Sequence, residues 1–399
     1  MKPALNPFSP GAGTPPPELA GRSAILESAD VIFQRALAGR SFQSLMLVGL
    51  RGVGKTVLLS KIGNNAEAEG LQIVQIEAPE GRGIAELIAP ELRRVLLRMS
   101  LGANATMHAR RALQALRNFV GKFKLSVGDF EVSIAPEPGL ADSGDLETDL
   151  TALLLVIGEA AKEKNTVVVM LVDEMQYLGE SDLAALIMAL HRVGQKQLPI
   201  VLIGAGLPQL VGIAGRARSY AERLFLYPPV GALTEAEAIK AIQSPLKLAH
   251  CELTEPAMQK LFNLTQGYPF FLQAWAYAAW NEAKACPITV DVIEEATHSV
   301  LTLLDQSFFR VRFDRLTPRE KDYLRAMAEL GPGPHRTGDI ADKFGRSMTS
   351  LAPLRSALIK KGMIYSPAHG DNAFTVPLFD QFMLRAMPVW QPPTIRSIK

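Results

Sequence analysis

Between Gly49 and Thr56 the chain reads GLRGVGKT, which fits the pattern G-x-x-x-x-G-K-[ST]. Gly49, Gly52 and Gly54 let the backbone curl and turn its amide N–H groups toward phosphate oxygens. Lys55 supplies a point charge to β- and γ-phosphates, and the Thr56 hydroxyl can ligate Mg²⁺. A helix starting here would add its positive dipole end. A glycine turn that fits by chance is the bland alternative. The apolar LMLV before the loop and the helical VLLSKIG after it provide the strand–loop–helix context that the chemistry needs.

A second signal is independent. VVVMLVDEMQYL (167–178) is an apolar strand ending in Asp173-Glu174. Paired carboxylates at the end of a buried strand need a nearby cation. Asp173 is placed to hold Mg²⁺ through water, and Glu174 to orient or deprotonate an attacking water. The alternative is a pair of helix-capping acids. Gln176 is read either as a γ-phosphate sensor or as a plain exposed side chain.

Short buried strands are expected at Leu45–Val48, Ile73–Ile76, Val167–Val172, Ile200–Ile203 and Leu224–Leu226, separated by helices, the first over 22–39. That alternation indicates an α/β domain with a largely parallel sheet. Past Tyr227 the strand signals stop. Thr234 with Glu237, and Thr317 with Glu320, have capping-box spacing, so helices should start there. The boundaries read as a Pro-rich extended arm over 1–18, an α/β core over 19–230, an all-helical region over 231–308, a third unit over 309–387 and a tail over 388–399.

The core carries an insertion over 92–149. Residues 92–128 hold eight Lys/Arg and no acid, and 129–149 hold seven acids and no base. KFKLSVGDFEVSI alternates like a hairpin around Val127-Gly128-Asp129. The stretch is either two solvated faces that offset each other or a basic surface for nucleic acid or a neighbouring subunit.

Hydrophobic residues are 48% of the 399, charged residues 21%, and the net charge is +2. These values exclude a disordered, collagen-like or disulfide-scaffold protein, and global charge says little about partners. Cys251 and Cys286 read as two small buried hydrophobes in a reducing cytosol. Met1–Pro17 has no apolar signal-peptide core. Residues 197–215 lack charge but contain two prolines and four glycines, which suits a strand and loop better than a membrane span. A cytoplasmic protein without membrane contact is expected.

LAGR (19–22), GLRGVGKT, LVDEMQYL, GAGLP (204–208) and SYAERLF (219–225) resemble a P-loop ATPase of the AAA+ class. Its nearest relatives by this resemblance are the bacterial and archaeal ATPases similar to origin-recognition and replication-initiator proteins, and the likeness runs over roughly 15–387. It implies a parallel sheet in 5-1-4-3-2 order, a helical lid, a C-terminal winged helix, and ATP/ADP with Mg²⁺ as ligands. It implies that Gly21 and Arg22 lie near adenine, and that Arg51, Val53 and Val57 join the glycines, Lys55 and Thr56 around the nucleotide. It also places Arg223 where such families carry a trans-acting arginine finger, in a composite site formed by self-association. An ion pair of Arg223 with Glu222 or Glu235 is the alternative, and Arg216 and Arg218 are rivals for the role.

Two departures stand out. The fourth strand ends in Gly204-Ala205-Gly206, where the family has a polar sensor, and Gln209 is the nearest substitute. The lid carries QGYPFFLQ (266–273) in place of a sensor arginine. Gly267-Tyr268-Pro269 resembles the Gly-x-Pro of signalling NTPases with numerous domains, in which the proline packs on the base, so Pro269 is counted with the nucleotide contacts. Both departures suggest slow, switch-like turnover.

From 308 to 399 there are fifteen Lys/Arg and eight Asp/Glu. Helices over 317–330, 337–345 and 347–364 and a hairpin over 368–376 give the order of a winged helix. Leu351, Leu354, Leu358 and Ile359 should face the core. Arg346, Arg355, Lys360 and Lys361 surround the third helix, which would meet duplex DNA. Three functions compete: an ATP-controlled DNA-binding ATPase, a signalling switch gating protein contacts, and a nucleotide-binding scaffold that does not hydrolyse.

Overall fold

The structure, a computed structural model, describes residues 1–11, 13–100, 107–125 and 138–393. These form two compact units. One comprises 21–49 and 54–230. The other comprises 1–20, the tetrapeptide 50–53 and 231 onward.

The first unit begins with α1 (Ser23–Leu37), β1 (Ser44–Val48), α2 (Lys55–Ala68), β2 (Gln72–Glu77) and α3 (Ile84–Ser100). It continues with α4 (Met107–Lys122), α5 (Leu146–Glu163), β3 (Val168–Asp173), α6 (Glu180–Gln195) and β4 (Ile200–Gly206). It closes with α7 (Gln209–Ala217), α8 (Ala221–Leu224) and β5 (Phe225–Leu226). The strands pair in parallel in the order β2-β3-β4-β1-β5, which is the expected 5-1-4-3-2 order read from the other edge. Every residue of β3 and β4 is buried, as helices on both faces of a parallel sheet require. The uncharged 197–215 stretch becomes β4 and α7. Among the described residues no helix is long and apolar enough to cross a membrane.

The hairpin expected around Val127-Gly128-Asp129 lies outside the described residues. Its flanks are helical. α4 buries Ala112, Leu116 and Phe119, and α5 starts on an Asp145 cap that accepts from the Thr148 amide at 2.8 Å. Several insertion charges have local partners: Arg94 bonds Glu91 and the Ile73 carbonyl, and Asp149 is buried, accepting from the amides of Ser143 and Gly144.

The second unit contains α9 (Glu235–Leu248), α10 (Glu255–Thr265), α11 (Pro269–Glu282), α12 (Val290–Leu304) and α13 (Arg310–Asp314). Then come α14 (Pro318–Ala328), β6 (His335–Arg336), α15 (Thr337–Phe344), α16 (Met348–Lys360), β7 (Ile364–Tyr365), β8 (Asp371–Phe374) and α17 (Phe379–Ala386). Both capping boxes form, at Thr234/Glu237 and Thr317/Glu320. β6, β8 and β7 make a three-stranded antiparallel sheet in that order. An aromatic chain of Phe270, Phe308, Phe309, Phe382 and Phe379 joins the N-terminal turn of α11 to α17.

Two expectations change here. Cys251 and Cys286, 35 positions apart in sequence, form a disulfide with Cα atoms 5.5 Å apart. A parallel bridge of Leu253 with Ile288 brings the two loops side by side, so residues distant in sequence end within bonding range. The N-terminal arm carries a 3₁₀ turn at Pro3–Leu5 and is docked. Phe8 is fully buried, Asn6 donates to the Tyr277 carbonyl, and the Trp280 indole donates to the Lys2 carbonyl.

Candidate nucleotide site

β1 delivers the chain into the glycine loop, and α2 begins at Lys55. Gly52 and Gly54 take positive φ of 82° and 91°, a region that L side chains rarely adopt. Gly54 caps the 14-residue α2 without a side-chain bond, so no capping side chain fills the place where a helix N-terminus binds anions. Lys55 is buried, and its Nζ donates to the Gly49 carbonyl at 3.0 Å. A buried ammonium at a helix N-terminus suits a polyanion.

The Thr56 hydroxyl donates to Asp173 Oδ2 at 2.6 Å, and the Glu174 amide donates to Asp173 Oδ1 at 2.8 Å. Burial pushes the Asp173 carboxyl up from the ordinary aspartate range, against the lowering effect of those two bonds. Among the described residues no group of three His, Cys, Asp or Glu could hold a metal ion alone. A cation at Thr56 and Asp173 therefore needs further oxygens, which a nucleotide's phosphates would supply. On these observations the residues fit a nucleotide with Mg²⁺.

Glu174 is half-buried in the left-handed region at φ 54°, a conformation worth ~1–3 kcal/mol of strain in a non-glycine residue. Gln176 is also half-buried, not a plain exposed side chain. Its Nε2 donates to Glu174 Oε2, and its Oε1 accepts from the Leu207 amide at 3.1 Å. Gln209, the expected sensor substitute, starts α7 with its Oε1 buried and without a partner among the described residues.

Among the other predicted residues, Arg22 is buried, with a guanidinium bond to the Gly21 carbonyl at 3.3 Å, and it leads into α1. Val57 lies in the first turn of α2. Arg223 is exposed in α8, and among the described residues no ion pair with Glu222 forms. Arg218 pairs with Glu147, a partner that sequence reasoning missed because it lies 71 residues away. Arg216 is exposed at the end of α7.

Leu50–Val53 groups with the C-terminal unit. There the Phe270 amide donates to the Gly52 carbonyl at 3.2 Å, and Tyr268 lies against Gly52 so closely that a Cβ would sit 3.0 Å from its ring. Pro269 holds the first position of α11 between these two contacts. Among the described residues the buried Tyr268 hydroxyl has no hydrogen-bond partner, and burial pushes its pKa far up.

Residues 18–203 match the AAA ATPase domain family, and residues 306–383 match a domain of unknown function. No curated protein matches the chain. A Walker-type ATPase of Pyrococcus abyssi is 16% identical, covers 92% of this chain and 96% of its own, and superposes with a TM-score of 0.57. Cdc6p from Pyrobaculum aerophilum is 14% identical over 97% and 98% of the two chains, with a TM-score of 0.47. The Aeropyrum pernix ORC1 protein, solved in complex with DNA, is 15% identical over 93% and 94%, with a TM-score of 0.46. At such identity the first of these likenesses speaks for the fold alone. The family match over residues 18–203, the sheet order and the loop geometry agree on a parallel-sheet P-loop fold like that of AAA ATPases, followed by a helical C-terminal region.

Proposed function

We propose that this protein binds ATP with Mg²⁺ at residues 49–57, hydrolyses it slowly, and uses its nucleotide state to control conformation or assembly and DNA binding. The observation that carries the reading is the Thr56–Asp173 hydrogen bond beside the buried Lys55. It joins a phosphate loop to an acid at the end of β3. Lys55 and the α2 amides bind phosphate oxygens, and Thr56 and Asp173 hold the cation. When bound, Mg²⁺ supplies charge neutralisation of the phosphates. Glu174 orients the attacking water and accepts its proton. Gly21 and Arg22 are assigned to the base, and Arg223 to a neighbouring subunit's γ-phosphate, where it would neutralise developing charge.

For the C-terminal region, the order α14, β6, α15, α16, β7, β8 supports a winged helix with α16 as the helix that meets duplex DNA. The charge on this segment is partly internal, however. Arg355, expected to face outward, donates through Nε to Asn372 Oδ1 at 2.6 Å and through Nη2 to Ser366 Oγ, so it braces β8 against α16. Lys361 pairs with buried Glu320 at 2.7 Å, and Leu354 and Ile359 are only half-buried. Of the four bases around α16, Lys360 is exposed and Arg346 half-buried. The rival reading, a signalling switch, draws on the contact of Gly267-Tyr268-Pro269 with the loop tip at Gly52.

The deciding experiment is ATP turnover with and without duplex DNA. Turnover abolished by Glu174→Gln and altered by DNA supports the proposal. Turnover indifferent to DNA, with no DNA affinity at low salt, favours the switch. No turnover at all removes the enzyme.

A further inference from the structure

The strand β4 ends without the polar side chain that would complete a hydrolytic site, and the geometry explains why there is no room for one. A Cβ on Gly204 would overlap the Met175 sulfur, and a Cβ on Gly206 would sit 2.8 Å from Gln176 Oε1. The turn that follows β3 therefore fills the space above the end of β4 with its own side chains. Gln176 arrives there with both ends engaged. Because the Leu207 N–H can only donate, it fixes the carbonyl end of the amide toward β4. The NH₂ end is then left for Glu174 Oε2.

We propose that Gln176 is the positioning residue of the hydrolytic site: its amide ties the Glu174 carboxylate to the end of β4 and so sets where the proton acceptor stands. This rests on the reading of the site as an ATPase. Glu174 needs such a tie, since its backbone is in the strained left-handed region and its carboxylate is only half-buried. A carboxylate that is free to rotate spends less time aligned with a water, and loss of alignment costs rate rather than substrate affinity. The paired glycines at 204 and 206 are then part of the device, because they admit Met175 and Gln176 to the strand.

The test is steady-state ATP turnover and calorimetric ATP affinity in the full chain, with melting temperature alongside. Gln176→Glu keeps the shape and the acceptor for Leu207 but cannot donate to Glu174. Gln176→Ala removes both bonds. On the scale of a hydrogen bond to a charged group, kcat should fall about 10-fold to 100-fold in both variants. KM and ATP affinity should stay within about threefold of wild type, because only alignment is lost. A merely structural glutamine would lower the melting temperature and spare kcat in the folded fraction. Wild-type kcat in either folded variant overturns the assignment while leaving the ATPase intact. Absence of turnover in the wild-type protein overturns the ATPase reading and this proposal with it.

Discussion

The Thr56 hydroxyl and the Asp173 carboxylate, 117 residues apart in sequence, are joined by a 2.6 Å hydrogen bond. It links the first turn of α2 to the last residue of β3, so loop and acid are already in register with each other. An incoming cation needs only to slip between two oxygens that are held together, which keeps the reorganisation on binding small.

Lys55→Ala should abolish ATP binding, because the ammonium beside the Gly49 carbonyl is the buried positive charge of the loop. Isothermal calorimetry in Mg²⁺ reads this directly. Wild-type affinity in the variant would move the phosphate site elsewhere.

Arg223→Ala should slow hydrolysis and spare binding. Mixing it with Glu174→Gln protomers should raise turnover above that of either variant alone if Arg223 acts on a neighbouring subunit. Arg218→Ala is the control: with its guanidinium on Glu147 it should act on stability more than rate. Turnover unaffected by Arg223→Ala would shift the assignment to Arg216.

DNA binding should depend on Lys360 more directly than on Arg355. Lys360→Glu should weaken duplex binding and leave folding untouched, since the side chain is exposed. Arg355→Ala should lower stability by ~1–3 kcal/mol through the unpaired Asn372 carbonyl oxygen. Fluorescence anisotropy at two salt concentrations, with urea melts in parallel, separates the two effects.

Reduction of the Cys251–Cys286 bond, or Cys251→Ser with Cys286→Ser, should destabilise the protein by ~2–4 kcal/mol, because the bond closes a loop containing α10 and α11. Thermal melts with and without a thiol reductant measure it. Two free thiols titrated in the native protein would remove the bond.

Acid should weaken the Thr317–Lys361 corner. Burial works against ionised Glu320, but hydrogen bonds from Lys361 and Thr317 outweigh it and hold its carboxyl below the ordinary glutamate range. The stability so gained is complete above the unfolded value and lost as pH falls through the folded one. Lys361→Met should lower the urea midpoint at neutral pH, and the difference from wild type should close in acid.

The phosphate loop, the Asp173-Glu174 pair, the strand positions and both capping boxes were legible because each rests on short-range pattern. The sheet order came with the resemblance and is borne out by the strand pairing. What sequence could not show lies in contacts set by the tertiary fold. Nothing local distinguishes Arg355 facing Asn372 from Arg355 facing solvent, since both satisfy the same helical spacing. Cys251 and Cys286 read as isolated hydrophobes because their pairing depends on a two-residue bridge between loops. Gln176 lay between two readings until the Leu207 amide fixed its orientation.

Helix α11 has a mechanical consequence. At 14 residues it is a strut of about 21 Å. Near one end the Phe270 amide grips the Gly52 carbonyl, and toward the other Tyr277 and Trp280 hold Asn6 and Lys2. A helix resists compression along its axis, so a shift of the loop tip must either bend the strut or move the arm. The strut thus puts the Gly52 carbonyl and the residues around Asn6 at the two ends of one stiff element.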